Sequence, residues 1–441
     1  MADAGERHWI ESFAEREAAR GGEPAWLEAA RKAAIARFAE LGVPTRRHEE
    51  WKYTQAARIA KGPWRAASAG AVAPAALETL GLGIETSPRL VFVNGRFAPA
   101  LSSRAGLAPE VTAGSFRALL ASHPERLEPY LALPSALDDR AFAALAAALA
   151  EDGAFLRVPR AMALPEPVLA VFLSAPEPEP AAAHPRLVFV AEAGSRATLV
   201  ELHVGLGDGA HWSNALGQVV VGENASVEHV RLQLEGAAAT HLAHFHARVE
   251  RDGRFASRAV SLGARIARHD VVATLAGPGA ECSLDALYGA VDQHVDNRST
   301  VDHQAPHTAS RELYKGVLLG RSRGIFSGRV IVRRAAQKTD ARQKNANLLL
   351  SGEAEVDSKP QLEIEADDVK CSHGSTIGQL GADALFYLRA RGLDEGKARA
   401  MLTRAFAAEI TDALPSEPVR ERVEAELAGR LFGADRRGRA A

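Results

Sequence analysis

Residues 312–380 read ELYKGVLLGRSRGIFSGRVIVRRAAQKTDARQKNANLLLSGEAEVDSKPQLEIEADDVKCSHGSTIGQL. Short apolar runs at Val317–Leu319, Val330–Val332, Leu348–Leu350 and Leu362/Ile364 are separated by Gly, Ser, Asp or Lys-Pro punctuation. Short strands joined by tight bends read this way. The stretch closes on Lys370-Cys371-Ser372-His373-Gly374, and a helical pattern begins a few residues later. A strand over Val369 to His373 places Val369, Cys371 and His373 on one face, because side chains alternate with period two. A thiol and an imidazole then stand side by side on a rigid element.

Upstream, strand-like runs recur at Leu187–Val190, Ala197–Leu202, Gly217–Val221, Ser226–Leu232, Phe245–Val249, Ser257–Ser261 and Asp270–Leu275. Between them a bend phrase returns: AGSRATL at Ala193, ENASVEH at Glu223, DGRFASR at Asp252 and PGAECSL at Pro278. A recurrence of roughly 26 to 30 residues is the spacing of solenoid coils, none of which can bury its apolar face without the next. The predicted fold is mainly β: a right-handed parallel β-helix core flanked by N-terminal and C-terminal helical domains. A β-sandwich is the competing architecture. The absence of crossover helices over the core argues against a doubly wound sheet.

The flanks change period. Residues 6–60 read as helical, with Trp26, Leu27, Ile35, Phe38 and Leu41 on one side, Gly42 at the end and Pro44 as a stop. The segment Arg46-Arg47-His48-Glu49-Glu50-Trp51-Lys52-Tyr53-Thr54 is expected to pack its aromatics down. Arg89–Phe97 reads as a hairpin turning at Asn94-Gly95. Phe116–Leu120 and Asp138–Ala150 look helical. After Ala382, one helix closes at Gly392, a second is capped by Asp394 and a third by Ser416, with Val419, Val423, Leu427 and Leu431 at four-residue steps. The expected division is a helical segment (1–65), a mixed α/β region leading in (66–185), the β-helix (186–380), a helical domain (381–432) and a disordered tail (433–441).

Composition narrows the class. Hydrophobic residues make up 47% and charged residues 24%, as in a soluble globular protein. A net charge of −2 gives no electrostatic footprint for nucleic acid or an anionic membrane. Two cysteines, Cys282 and Cys371, in no paired spacing fit a reducing cytosol. The start MADAGERHWIESF carries no export pattern, and the apolar run Ala141–Ala150 is too short to span a bilayer. A cytoplasmic location follows as an expectation.

The phrases LYKGVLLGRSRGIFSGRVIV, TDARQKNANLLLS, VDSKPQLEI and DDVKCSHGSTIGQL together resemble the core of the SufB/SufD family of iron–sulfur cluster assembly scaffolds. RRHEEWKYT resembles that family's N-terminal signature. Lys-Cys-Ser-His-Gly and LDALYGAVDQHVDNRSTVDHQAPH resemble the SufD branch, with Ser375 standing where Ala is common. The resemblance implies a scaffold rather than an enzyme, pairing with SufB and contacting the ATPase SufC. It implies no tightly bound cofactor, only a transient iron–sulfur cluster or iron at the interface with SufB. By that resemblance His373 and Cys371 belong to a shared cluster-assembly site. One thiol and one imidazole cannot hold a cluster, which usually takes four ligands, soft thiolates foremost. Leu385, Phe386, Met401, Leu402 and Phe406 on the C-terminal helices are the expected SufC-facing residues, although those helices are equally able to pack on their own rod. A homodimer of the isolated chain is left open, as is a flavin in the complex.

Other clusters read as structural. In THLAHFH, His244 and His246 share a strand face and His241 takes the other, short of the ligands a zinc site needs. His294, His303 and His307 are expected to be structural. The acidic run Glu353, Glu355, Asp357, Glu363, Glu365, Asp367 and Asp368 reads as a solvated outer face. Gly316, Gly320, Gly324 and Gly328 lack the Gly-Lys-Ser/Thr ending of a phosphate loop. The alternative function is a β-helix enzyme of the polysaccharide-lyase type, which the missing export signal disfavours. A Cys-His hydrolase on Cys371 lacks a third, orienting group.

Overall fold

A computed structural model describes residues 4–19, 21–82 and 87–433. The expected tail, 433–441, lies outside the described residues from 434 onward. Successive strands from Arg186–Ala191 to Lys370–Gly378 alternate between two sheets, one of 11 strands and one of 10. Neighbours within each sheet run parallel and in unbroken register. The chain therefore coils as a flattened parallel β-helix.

The corners explain the coil length. Ala161, Gly194, Asn224, Asp252, Gly279, His307 and Lys338 all have positive φ, between 53° and 73°. Glycine, Asn and Asp enter that left-handed region most cheaply, which is why the bend phrases carry them. Each of these residues from Gly194 onward donates its N–H to a carbonyl of the next corner: Gly194 to Glu223, Asn224 to Arg251, Asp252 to Pro278, Gly279 to Pro306, His307 to Gln337 and Lys338 to Asp368, at 2.7–3.2 Å. The turn thus continues the ladder instead of interrupting it.

The rod begins earlier than residue 186. Gly153–Val158 pairs in parallel with Arg186–Ala191, and Val168–Ser174 with Arg196–Gly205. Arg89–Val93 adds a further parallel strand and Arg96–Phe97 folds back on it through Asn94-Gly95. The connection from Val158 to Val168 is longer than the later corners and lacks their phrase, so the repeat was hidden there.

Each sheet is covered outside by helices. Ala4–Ala19, Ala25–Leu41 and Ala141–Leu149 bury Trp9, Phe38 and Phe142 with Trp212, Leu216, Leu242 and Val272 of the 11-stranded sheet. The stretch between Gly42 and Gln55 is not α-helical, contrary to the continuous helical reading. It straps across the sheet: Trp51 stacks 3.8 Å beneath the Arg268 guanidinium, and Thr54 Oγ1 donates to Asp296 Oδ2 at 2.6 Å. Glu395–Thr411 and Glu417–Phe432 cover the other sheet. There Ile410, Val419, Val423 and Leu427 meet Val230, Leu232, Val260 and Leu287. Asp394 caps its helix through the Lys397 N–H at 2.9 Å, whereas Ser416 makes no side-chain cap. Among the described residues no helix is long and apolar enough to cross a membrane.

Candidate functional site

The two ends of the rod differ, and the candidate residues Cys371 and His373 lie at the C-terminal one. Glu355–Ile364 pairs only with Arg323–Val332, and Lys370–Gly378 only with Asp340–Leu349. The far edge of each strand meets no further strand among the described residues. Backbone donors and acceptors there are left for water or another chain.

Register places the side chains. Ala341, Gln343 and Asn345 face the interior, at 0%, 3% and 0% exposure. Cys371, His373 and Ser375 are their in-register neighbours on the last strand, so they face the same way. The interior is uncovered at this coil. His373 is therefore exposed although it points along the core face. Cys371 is half-buried beside Leu362 and Val369, and burial pushes its thiol above the usual range. The inward Ile364 and Ile377 are 44% and 50% exposed. Shared orientation of Cys371 and His373 is as the alternation predicts. Their unequal burial is a tertiary effect.

Beneath the last coil the interior is polar. Gln343 Nε2 donates to Glu312 Oε1 at 2.9 Å. Burial raises the Glu312 carboxyl to about 7, against the hydrogen bond from Gln343. Ser375 Oγ lies 2.8 Å from Ser358 Oγ, which donates to Asn345 Oδ1 at 2.9 Å. Deeper, Glu201 is hydrogen-bonded to His203 (2.6 Å) and His229 (3.1 Å), which outweigh burial and hold it well below the usual carboxylate range. Cys282 is fully buried on the same interior column as Cys371, with Ser310 and Ala341 between them. None of this interior was read from the sequence. The available signal was parity: Glu201, His229, Glu312 and Gln343 occupy the inward positions of their strands.

The remaining candidates separate. His241 faces inward, 2.7 Å from Glu235, while His244 and His246 face outward beneath the covering segments. Burial first of all lowers the pKa of each of the three to about 4. His294 is hydrogen-bonded to Thr54 at 2.8 Å, and His303 to Thr308 and Ser310 at 2.7 and 3.0 Å. His307 occupies a left-handed corner. In the acidic run, Asp357 and Glu363 face outward and pair with Arg323 and Arg329 at 2.8 and 2.7 Å. Among the described residues no group of three or more His, Cys, Asp and Glu side chains is placed to hold a metal ion.

Of the five expected partner-facing residues, Phe386 and Met401 are 75% and 56% exposed, and Tyr387 beside them is 56% exposed. Leu385 and Leu402 are half-buried. Phe406 is committed to its own rod. Its carbonyl accepts from Lys315 Nζ at 2.8 Å, and the same ammonium sits 4.6 Å from the ring centre.

The fold is a parallel β-helix with helices on both faces and a last coil that carries an exposed imidazole and is uncapped among the described residues. Sequence comparison places it. The family "SUF system FeS cluster assembly, SufBD core domain" matches residues 172–406, and "SufBD protein N-terminal region" matches residues 4–169. The chain belongs to the SufB/SufD family. It is 34% identical over 398 residues to the iron–sulfur cluster assembly protein SufD of Escherichia coli, covering 90% of this chain and 91% of that one. It is also 34% identical over 415 residues to an iron–sulfur cluster assembly SufBD family protein of Synechocystis, covering 92% and 91%.

Proposed function

We propose that this chain is the scaffold subunit of a SUF-type iron–sulfur cluster assembly complex. It pairs with SufB through the open end of the β-helix and meets the SufC ATPase through its C-terminal helices. The observation that carries the reading is His373, exposed on the inward face of a last strand whose outer edge meets no further strand among the described residues. Iron or a nascent cluster needs more donors than this chain offers there, so a second subunit must complete the set. Two edge strands and the inward Ile364 and Ile377 favour end-on addition of another β-sheet, where main-chain hydrogen bonds supply affinity. Exposed Phe386, Tyr387 and Met401 are of the kind that anchors protein contacts. Nucleotide-driven movement of SufC would then be transmitted to the shared end and open the site. Cluster and iron are cargo in this scheme.

The test is His373→Ala in the co-purified complex, followed by iron and sulfide analysis. The expected result is an intact complex with a lower cluster yield. Wild-type yield from the purified variant complex would refute the assignment.

A further inference from the structure

Gln343 is the in-register neighbour of His373, one rung deeper into the rod. It is 3% exposed and belongs to an interior column that continues to Glu312 on the next coil. Its Nε2 donates to Glu312 Oε1 at 2.9 Å, which commits the nitrogen end of the amide to the carboxyl. The carbonyl end, Oε1, is buried and has no hydrogen-bond partner. Buried polar atoms are nearly always satisfied, so an idle acceptor calls for a donor. The next polar group along the column is the His373 imidazole, at the strand spacing of about 4.8 Å. Across the rod, Gly328 makes the room: a Cβ there would stand 2.2 Å from Gln343 Nε2.

A neutral imidazole has one protonated nitrogen and one with a free lone pair. Which is which depends on the hydrogen bond the ring donates. Metal-binding histidines generally give their second N–H to a carboxylate or carbonyl oxygen, which fixes ring and tautomer. We propose that Gln343, held by Glu312, is the positioning residue for His373: its side-chain oxygen takes the N–H of one ring nitrogen and leaves the other unprotonated toward the open end. The inference rests on His373 as a nitrogen donor and adds what sets its tautomer.

Ring-nitrogen NMR of the full chain labelled with 15N-histidine tests it, at a pH where the imidazole is neutral. His373 is assigned by the signal missing in His373→Ala. One tautomer should predominate in the wild type. Gln343→Met, of similar size but without the acceptor, should move the populations toward those of a free imidazole, and Gln343→Glu should restore the single form. In the co-purified complex, where the second subunit completes the donor set, the affinity of the His373 site for Co2+ should fall about tenfold or more in Gln343→Met. A single tautomer persisting in Gln343→Met overturns the proposal. If thermal melting shows that variant unfolded, Gly328→Ala, which displaces the amide without removing it, carries the same expectation. A scrambled tautomer with Co2+ binding equal in wild type and His373→Ala keeps the positioning role and instead sinks the metal-donor reading of His373.

Discussion

The first and last coils are built from the same repeat and end differently. At the N-terminal end, inward Leu156 and Val158 are 1% and 0% exposed. Thr112–Ser115 and Arg96–Phe97 close the two sheets there with short antiparallel strands, which cannot propagate a parallel ladder. At the C-terminal end the inward Ile364 and Ile377 remain about half exposed, and among the described residues both strands keep a free edge. Natural sheets blunt such edges with caps, charges or bulges. One end carries a cap and the other carries an imidazole. The difference supports the proposal that the unfinished end is an interface, since among the described residues the chain closes both sheets at the other end and neither at this one.

The largest test breaks that asymmetry directly. Leu156→Lys would bury an unpaired charge and should destabilise the chain by more than about 4 kcal/mol in chemical denaturation. Ile364→Lys with Ile377→Lys should leave melting almost unchanged. The same pair should weaken association with the second subunit, or with a second copy, by about 100-fold or more, because two isoleucines lose roughly 1.5–3 kcal/mol each on failing to bury. Light scattering and co-purification read this out. Equal effects at both ends would remove the distinction.

The two halves of the interior also differ in charge. Glu201, in the capped half, is held ionised by its histidines, whereas Glu312, near the open end, is raised by burial from 4.5 to about 7. For Glu201 the folded pKa is depressed. Its stabilisation is present above the unfolded value and lost as pH falls through the folded one. For Glu312 the folded state binds the proton more tightly, so its contribution is full below about 4.5 and declines as pH rises to about 7. The decline is on the order of 3 kcal/mol. Glu312→Gln should flatten the stability profile between those values, as measured by denaturant midpoints across pH. An unchanged slope would place Glu312 in a wetter setting than its burial implies.

A smaller effect is expected on the helical face. Phe386→Ser and Met401→Ser should each change folding stability by less than about 0.5 kcal/mol. Each should weaken binding of the ATPase subunit by about tenfold, as loss of an exposed anchor does. Calorimetric titration with purified ATPase decides, and unaltered affinity would move the contact elsewhere. Phe406 makes the internal contrast, since its ring and carbonyl are engaged by Lys315.

Much of the coil was readable because its physics is local. Gly194, Asn224, Asp252 and Gly279 mark corners through a backbone conformation that few other residues enter cheaply. Strand alternation put Cys371 and His373 on one face, and His244 with His246 opposite His241. The start of the rod was not readable, because the Val158–Val168 connection carries no corner phrase. Phe386 and Phe406 look alike as letters on an amphipathic pattern, and only the position of Lys315 separates them. Gln343 and Glu312 lie 31 residues apart and meet because the coil length matches that interval.

The sequence by itself determined the repeat, the strands, the shared face of Cys371 and His373 and the family, since each depends on residues close together or on motif order. Tertiary structure alone decided which end stays open, which polar side chains share an interior column and which aromatic residues remain free. Those outcomes depend on what stacks on what, and stacking joins residues a whole coil or more apart, where no local preference acts.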